Sequence, residues 1–504
     1  MAFTSFEQPS TYGYKSDSLY TLLPFRFDRW PAEQVFLTNE VGEFLFLPSE
    51  TFLAFVEHHL GSENPHYFNL KAQHFLIDDQ SSAHLDVLAS KYRTKKSFLD
   101  GFTKLHIFVT SLRCNQSCPY CQVSRQGDQA DPNIYDMRPD VLERSVRLML
   151  ASPASHVTME FQGGEAFINF DLLQEGVRLA TELNEGVRKK IDFVVCTNLS
   201  LLEDSHLDWC KSNNVLISTS LDGPAEIHDY NRPMGKGKSS HAVVTRNILR
   251  AQEALGKHAV SALMTTTRAS LPHGRSIVDE YLRLHLGSIF IRELNPYGFA
   301  IKSAGALAYS TDEFVRFYAD MLGYIISINR AGRSFSEAYA SLILTKILTP
   351  WPMGFVDLQS PSGAGLGVCV YNYDGDVYAS DESRMLAEVG DYTFRLGNVL
   401  EDDYESIFFG ETMQTISAAA CNESLAGCSD CAYQTYCGAD PVRRWRTQHD
   451  IFGNRTSDGY CKKNMSIIKS LLQLVEDANS DLDLERILWA WVRREDVNRL
   501  KLPS

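Results

Sequence analysis

Three cysteines lie close together directly after an apolar run that predicts a buried strand. The cysteines are Cys114, Cys118 and Cys121, and the run covers residues 105–109. Thiolates at this spacing can hold three corners of a cubane iron–sulfur cluster and leave the fourth iron without a protein ligand. An open iron is a place for chemistry because a small molecule can chelate it. The alternatives are chance and a zinc site, although zinc ordinarily takes a fourth protein ligand nearby.

Size and charge limit the classes of protein to which this chain can belong. Its 504 residues leave room for about two to four domains. With 44% hydrophobic and 22% charged residues, the composition is that of an ordinary globular protein. The formal net charge of −15 argues against a nucleic-acid partner, which needs clustered Lys and Arg, and it suits a basic or neutral peptide partner.

The sequence predicts a cytoplasmic location and no association with a membrane. Residues 1–7 lack the basic stretch and apolar core of a signal peptide, and no apolar run reaches the roughly 18 residues of a membrane span. In such a chain, eleven cysteines indicate metal or redox chemistry rather than disulfides. Nine of them lie within 114–121 and 369–461, and the remaining two, Cys196 and Cys210, are predicted to be buried thiols.

Residues 1–100 form the first predicted region. Three short strand-like runs, 25–27, 34–39 and 43–47, predict a small antiparallel meander. A helical pattern follows from Pro48, with Ser49 as its predicted cap. Strands followed by helices indicate a compact winged-helix-like module, and a purely structural cap on the next region is the alternative.

Residues 101–350 form the second predicted region, in which strand-like runs alternate with helical stretches. This alternation predicts parallel βαβ units and therefore an α/β fold. An active site in such a fold is expected at the carboxyl ends of the strands. The runs are 105–109, 157–161, 191–195, 215–219, 259–264 and 289–291.

Two motifs follow strands of the second region. Gly163-Gly164-Glu165 offers two glycines that let backbone approach a ligand and a carboxylate that can accept from an ammonium group. Ser220-Leu221-Asp222-Gly223-Pro224 precedes Arg232, whose guanidinium suits a carboxylate ligand. A tight turn is the plain alternative for both motifs, and a role in the turn alone is the alternative for Asp222.

The third predicted region, residues 351–465, is rich in cysteines and loops, and a helical tail over 466–504 follows it. Cys428, Cys431, Cys437 and Cys461 give four thiols with the CxxC spacing of a metal site. Four cysteines suit zinc as well as an iron–sulfur cluster.

Taken together, these motifs resemble the radical S-adenosylmethionine (radical SAM) enzymes that carry a C-terminal SPASM domain and modify peptides. The resemblance covers about residues 100–465, and the stretches 369–385 and 396–399 resemble maturases of His-Xaa-Ser peptide systems. It implies a partial (β/α)6 radical SAM barrel and a SPASM-like domain. It also implies a [4Fe–4S] cluster on Cys114, Cys118 and Cys121, with SAM as the second cofactor.

The same resemblance assigns roles to the cofactor-binding residues. Gly163, Gly164 and Glu165 would bind the amino group of SAM, and Ser220 and Arg232 its carboxylate. The adenine would lie near Tyr120. Weaker candidates are Asn198, with its neighbour Thr197, and Arg292, for which a helix cap or a surface charge is the alternative.

In the family, the four C-terminal cysteines hold an auxiliary [4Fe–4S] cluster, so the resemblance implies at least one such cluster here. A second auxiliary cluster is expected to be absent, because Ser380 and Pro441 stand where its usual cysteines would lie. Only Cys369, Cys421 and Asp440 would remain for it. Asp381 stands at the place of the proposed catalytic base of sulfatase maturases, and a plain polar loop is its alternative.

The resemblance implies a maturase that cleaves SAM to a 5′-deoxyadenosyl radical and abstracts hydrogen from a ribosomally made precursor peptide, forming an intrapeptide crosslink. Residues 1–100 would recognise the leader of that peptide, and a flavodoxin or ferredoxin would donate electrons. A second maturase is a further expected partner. The alternatives are a protein-side-chain dehydrogenase of the sulfatase-maturase type and a non-catalytic peptide carrier that keeps its clusters for structure.

Overall fold

The computed structural model describes residues 20–78, 83–235 and 237–500. Residues 1–7, which carry the signal-peptide prediction, lie outside these ranges. No helix in the described ranges is both long enough and apolar enough to span a membrane, and a cytoplasmic location stays a prediction. The chain divides into two compact units. The first contains the described part of Met1–Lys96 with Pro350–Pro352 and Ala426–Tyr436, and the second contains Ser97–Thr349, Met353–Leu425 and the described part of Cys437–Ser504.

A nine-stranded sheet is the framework of the second unit. Its strands are β1 (Leu105–Ser111), β2 (His156–Gly163), β3 (Lys190–Cys196), β4 (Val215–Ser220), β5 (Val260–Thr265), β6 (Ile291–Arg292), β7 (Val368–Tyr371), β8 (Asp376–Tyr378) and β9 (Arg395–Asn398). Their spatial order is β6-β5-β4-β3-β2-β1-β7-β8-β9. All pairs from β6 to β7 are parallel, and the last two pairs are antiparallel.

Helices separate the parallel strands, as the alternating pattern predicts. Each buries apolar residues, for example Val141, Val146 and Met149 on the helix that follows β1. The main helices between β1 and β7 are Pro139–Ala151, Phe170–Asn184, Asp204–Ser212, Ala225–Asn231, Ser240–Leu255, Gly274–Arg283, Thr311–Arg330 and Ala338–Leu348. The predicted α/β arrangement is therefore confirmed.

The sixth predicted run is divided in two. Ser288–Ile289 pairs with Ser336–Glu337, whereas Ile291–Arg292 pairs with β5. Phe290 lies at the break and lines a cavity. The division arises because the two halves pair with different neighbours, which periodicity along the chain cannot reveal.

The third region is not only loops, because it adds three strands to the same sheet. Val368–Tyr371 is a short apolar run in which every residue is buried, and it pairs in parallel with β1. The antiparallel strands β8 and β9 extend the sheet beyond it. Helices in this part and the tail are Asp381–Ala387, Tyr404–Phe409, Glu411–Ala419, Pro441–Gln448, Gly459–Ala478 and Leu482–Arg493.

The first unit contains the predicted meander and helices. Phe25–Trp30, Gln34–Asn39 and Phe44–Pro48 form an antiparallel sheet with the second strand in the centre, and helix Ser49–Val56 follows. Ser49 is the first helical residue rather than the cap: the cap is Pro48, and the Ser49 hydroxyl donates to the Glu33 carbonyl at 2.8 Å. The remaining elements are Thr21–Leu22, Tyr67–Ala72, Leu76–Ile77 and Ala83–Lys96.

The segment Ala426–Tyr436 packs on this small sheet. The Thr38 hydroxyl donates to the Ala432 carbonyl at 3.0 Å, and the rings of Phe36 and Tyr433 stack with their centroids 5.5 Å apart. The Tyr433 hydroxyl also donates to Asp28 at 2.6 Å. Two of the C-terminal cysteines, Cys428 and Cys431, therefore lie in a segment that the N-terminal strands hold in place.

Candidate active site

A cavity of about 230 Å³ lies at the carboxyl ends of the parallel strands. Parallel strands end at one edge of the sheet, so motifs that follow different strands meet there. Nine of the residues predicted for the cluster and the cofactor line it. They are Cys114, Cys118, Tyr120, Cys121, Gly163, Gly164, Asn198, Ser220 and Arg232.

Local hydrogen bonds fix the cysteine loop. The Ser117 N–H donates to the Pro233 carbonyl at 2.9 Å, and the Cys121 N–H donates to the Cys118 carbonyl at 3.1 Å. Asn198 contributes a side-chain N–H that lies 3.8 Å from the Cys114 sulfur. The loop is thus held by its own hydrogen bonds and by contacts with the segments that follow β3 and β4.

Burial changes the acidity of these thiols. It raises the pKa of Cys114 and of Cys118 to about 12, and the Glu165 charge adds to the effect at Cys114. A metal would therefore bind with release of the thiol protons. Within the described ranges, no three His, Cys, Asp or Glu side chains converge on the position of a single ion.

The glycines of Gly163-Gly164-Glu165 are required by a neighbouring strand end rather than by a ligand alone. A Cβ on Gly163 would lie 2.0 Å from the Ser111 carbonyl oxygen, and Gly163 also has a positive φ of +142°. A Cβ on Gly164 would lie 2.3 Å from the Arg113 carbonyl oxygen. The motif therefore packs directly against the backbone that leads into Cys114.

We expect Gly164→Ala to lower the free energy of unfolding by about 2 kcal/mol, because its methyl group would meet backbone that cannot move without shifting Cys114. Denaturant unfolding checks the stability, and iron content after anaerobic reconstitution checks the loop. Gly186→Ala is the matched control, since a Cβ there has no neighbour within 4 Å among the described residues. Equal stability of the two variants would contradict the packing argument.

Glu165 is placed differently from the other predicted cofactor residues. It is completely buried and is not part of the cavity lining. Its carboxylate accepts from the Thr197 hydroxyl at 2.5 Å and from the N–H groups of Asn198 at 2.7 Å and Phe167 at 3.1 Å. In this structure the carboxylate joins the strand ends of β2 and β3.

Asp222 organises the side of the cavity that Tyr120 and Arg232 line. Its carboxylate is completely buried and accepts from the Tyr120 hydroxyl at 2.6 Å and from Arg232 Nε at 3.0 Å. The Thr265 N–H donates to its second oxygen at 3.1 Å. Asp222 is therefore the centre of a buried network and does more than shape a turn. The sequence offered one signal of this role, because Asp222 stands between Ser220 and Arg232, the two residues expected to bind the carboxylate of SAM.

A second cavity, of about 340 Å³, adjoins the first. The two share Gln162, Leu263, Arg292 and Asp381 in their linings. Asp381 is the first residue of helix Asp381–Ala387 and lies 3.3 Å from Arg384 Nε. Arg292 Nη2 lies 3.5 Å from Glu382 Oε1. Asp381 and Arg292, two of the weaker predictions, therefore stand where the cavities meet.

Sequence reasoning overlooked three further residues of the first cavity. Cys196, predicted to be simply buried, is half-buried and lines it, whereas Cys210 is completely buried as predicted. Thr219 and Arg125 also line it, and within the described ranges the Thr219 hydroxyl and Arg125 Nε are buried without a hydrogen-bond partner. Unpaired buried polar atoms of this kind fit a polar ligand.

The remaining cysteines are distributed over the two units. Cys428 and Cys431 belong to the first unit, whereas Cys437 and Cys461 belong to the second. The Asn464 amide N–H lies 3.8 Å from the Cys437 sulfur. Cys369 is completely buried in β7, where its sulfur lies 3.3 Å from His106 Nδ1.

Comparison with known proteins identifies the core of this arrangement. Residues 108–269 match the model of the Radical SAM superfamily. This chain contains a radical SAM domain. The matched range begins inside β1 and ends after β5, so it contains Cys114, Gly163, Ser220 and Arg232. A radical SAM domain implies a [4Fe–4S] cluster and SAM, and the three thiols, the Arg232 guanidinium and the unpaired Thr219 hydroxyl are groups that fit them.

Relatives of the radical SAM domain include modifiers of proteins and peptides. The chain is 27% identical over 326 residues to the cysteine-type anaerobic sulfatase-maturating enzyme of Clostridium perfringens strain 13. The matched residues make up 60% of this chain and 79% of that enzyme. The fold of this chain is similar to that of native anSMEcpe with bound AdoMet and Cp18Cys peptide, with a TM-score of 0.61 and 21% identity. The match covers 75% of this chain and 99% of that structure. Streptococcus suis SuiB bound to precursor peptide SuiA gives a TM-score of 0.51, 14% identity and coverage of 88% and 100%.

Proposed function

We propose that this chain is a radical SAM maturase that abstracts a hydrogen atom from a ribosomally made precursor peptide and forms an intrapeptide crosslink. The observation that carries the proposal is the pair of adjoining cavities. One collects the three cysteines and the predicted SAM residues other than Glu165, and the other, of about 340 Å³, offers room for a substrate side chain. The peptide-bound structures of its fold relatives support a peptide substrate.

Residues of the first cavity would bind and orient the cofactors. Arg232 would pair with the carboxylate of SAM, because a guanidinium forms bidentate hydrogen bonds with such a group. Asp222 keeps that guanidinium in place through the 3.0 Å contact, and Glu165 holds Asn198 beside Cys114. When bound, the cluster and SAM supply the radical chemistry, and the protein supplies orientation and exclusion of water.

Asp381 is the residue we assign to proton transfer. It lines both cavities, so it faces the cofactor side and the substrate side at once. Arg384 Nε lies 3.3 Å from its carboxylate and holds it at this junction. A carboxylate placed here would accept a proton that the substrate loses after hydrogen abstraction.

The auxiliary cluster and the peptide-recognition module belong to the same proposal. Cys428, Cys431, Cys437 and Cys461 would hold one auxiliary [4Fe–4S] cluster. The N-terminal sheet would recognise the leader by pairing with it along an edge strand, since Phe25–Trp30 and Phe44–Pro48 each have one edge unpaired within the described sheet. A flavodoxin or ferredoxin as electron donor and a second maturase as partner stay predictions.

The second candidate function is oxidation of a protein side chain, as in the sulfatase maturases. The 27% identity to a cysteine-type anaerobic sulfatase-maturating enzyme favours it. The position of Asp381 between the two cavities fits both candidates. A non-catalytic carrier is disfavoured by the first cavity, because residues predicted to bind SAM line it.

Co-expression with the small open reading frames beside its gene tests the proposal. Anaerobically reconstituted and reduced protein should form 5′-deoxyadenosine from SAM, and mass spectrometry of the co-expressed peptide should show the loss of two hydrogen atoms per modification. Fragmentation separates the two candidates, because a crosslink joins two residues and an oxidised side chain does not. A well-filled first cluster without 5′-deoxyadenosine would contradict both and favour the carrier.

A further inference from the structure

The second cavity has an excess of acidic groups. Six acidic and three basic side chains line it. Two of the bases are engaged with one of the acids, because Arg443 and Lys463 lie 2.7 Å and 2.6 Å from the same oxygen of Glu293. Arg292 is then the only further base in the lining. The five other acids are Glu160, Asp357, Asp381, Glu382 and Asp440.

These carboxylates are incompletely satisfied. Glu382 has its nearest charged partner, Arg292, at 3.5 Å, beyond the usual length of a charge-assisted hydrogen bond. Within the described ranges, Asp357 has no side-chain hydrogen bond or ion pair. Tyr297 also lines the cavity: it is 1% exposed, and in the same ranges its buried hydroxyl has no hydrogen-bond partner. A polar group so deeply buried is ordinarily paired, so a ligand with polar hydrogens is expected beside it.

The shape of the site decides which cation it suits. Within the described ranges, no three acidic side chains converge closely enough to hold a metal ion. Part of the lining is an aromatic wall: the Phe290 ring centroid lies 5.7 Å from that of Tyr339 and 5.8 Å from that of Phe355. Separated carboxylates and an aromatic wall suit a long side chain with a flat, extended cation.

We propose that this cavity is a subsite for a basic side chain of the substrate, a guanidinium above all, which pairs with Asp357 and Glu382 and contacts the Tyr297 hydroxyl. The inference rests on the proposed peptide substrate. The basic residue would lie beside the residue that is modified, since Asp381 and Arg292 join this cavity to the one that holds the cysteines. It gives the enzyme a means of choosing a peptide by charge.

The acidity of Glu382 supports this subsite. Burial, and then the charges of Asp357 and Asp381, raise its pKa to about 8, while Arg292 opposes the shift. Burial and neighbouring Asp357 also raise the pKa of Asp440 to about 6. A bound cation favours the ionised form, so binding releases a proton wherever Glu382 is protonated beforehand. The affinity for a basic ligand should therefore rise from pH 6 to about pH 8.

Calorimetric titration of the full reconstituted chain in the presence of SAM tests the inference. The probes are Nα-acetylarginine amide and its neutral counterpart, Nα-acetylcitrulline amide. The arginine probe should bind at least about tenfold more tightly. Asp357→Asn and Glu382→Gln should each weaken it by about tenfold, whereas the control Glu405→Gln, which changes an exposed acid elsewhere in the same unit, should not.

The outcomes separate this inference from the proposed function. Equal binding of the two probes by the unaltered protein would overturn the subsite, and that comparison needs no folded variant. Displacement of the arginine probe by millimolar Mg²⁺ or Ca²⁺ alone would overturn it in favour of an ion site. Charge-selective binding by a protein that forms no 5′-deoxyadenosine would uphold the subsite and remove the proposed function. Formation of 5′-deoxyadenosine by a protein that binds the two probes equally would uphold the proposed function and remove the subsite.

Discussion

Cys118→Ser should abolish formation of 5′-deoxyadenosine and remove about four iron atoms per chain. The reason is that a serine hydroxyl does not replace a thiolate ligand, and a cubane with three protein ligands is not expected to survive the loss of one. The unaltered chain should hold about eight iron atoms if the four C-terminal cysteines carry the auxiliary cluster, and about twelve if a second auxiliary cluster is present. Iron and sulfide determination after anaerobic reconstitution measures these values, and chromatography of the SAM cleavage products measures the activity.

Cys210→Ala is the matched control for this experiment. Cys210 is completely buried in helix Asp204–Ser212 and lines neither cavity, so its loss should leave the iron content unchanged. A Cys118→Ser protein with the full iron content and normal SAM cleavage would show that the cluster lies elsewhere. Zinc in place of iron in the unaltered protein would revive the alternative that the loop alone leaves open.

Asp222→Asn should lower the free energy of unfolding by about 3 kcal/mol and weaken SAM binding by about a hundredfold. Asparagine has one acceptor oxygen, whereas Asp222 accepts on both: Tyr120 and Arg232 at one oxygen and the Thr265 N–H at the other. The substitution also leaves the Arg232 guanidinium, whose side chain is 11% exposed, without its carboxylate. Denaturant unfolding and calorimetric titration with SAM measure the two effects.

A double variant separates the effect of Asp222 on the position of Arg232 from its effect on the stability of the fold. Asp222→Asn combined with Arg232→Gln removes both charges, so part of the lost stability should return, because no unpaired buried charge remains. SAM binding should not return, since the guanidinium that would pair with its carboxylate is gone. Normal SAM affinity in the single Asp222→Asn variant would contradict the role given to this network.

Local sequence was enough to predict the chemistry that we propose for the first cavity. Cys114, Cys118 and Cys121 lie within one loop, so their spacing alone limits what they can hold. The strand–helix alternation likewise predicted parallel strands, and parallel strands bring the ends of β1 to β4 to one edge whatever the details of packing. Gly163, Ser220 and Arg232 reach the same cavity for that reason.

The roles of individual side chains depended on contacts between distant parts of the chain. Asp222 meets Tyr120 across 102 residues of sequence, and no local pattern marks such a partner. Glu165 carries the expected motif, yet its carboxylate is used inside the protein to hold Asn198. The glycines before it are explained by the Ser111–Arg113 backbone, which only the folded sheet places beside them.

The sequence by itself determined that three closely spaced thiols follow a strand of an α/β fold, because the spacing within one loop and the alternation of strands and helices are local properties. Only the tertiary structure decided what surrounds that site. The acidic cavity draws its lining from β2, from β6 and from segments beyond residue 350, and β7 pairs with β1 across more than 250 residues. The burial and the charge of the acidic cavity come from side chains of distant segments, so this cavity exists only once the chain has folded.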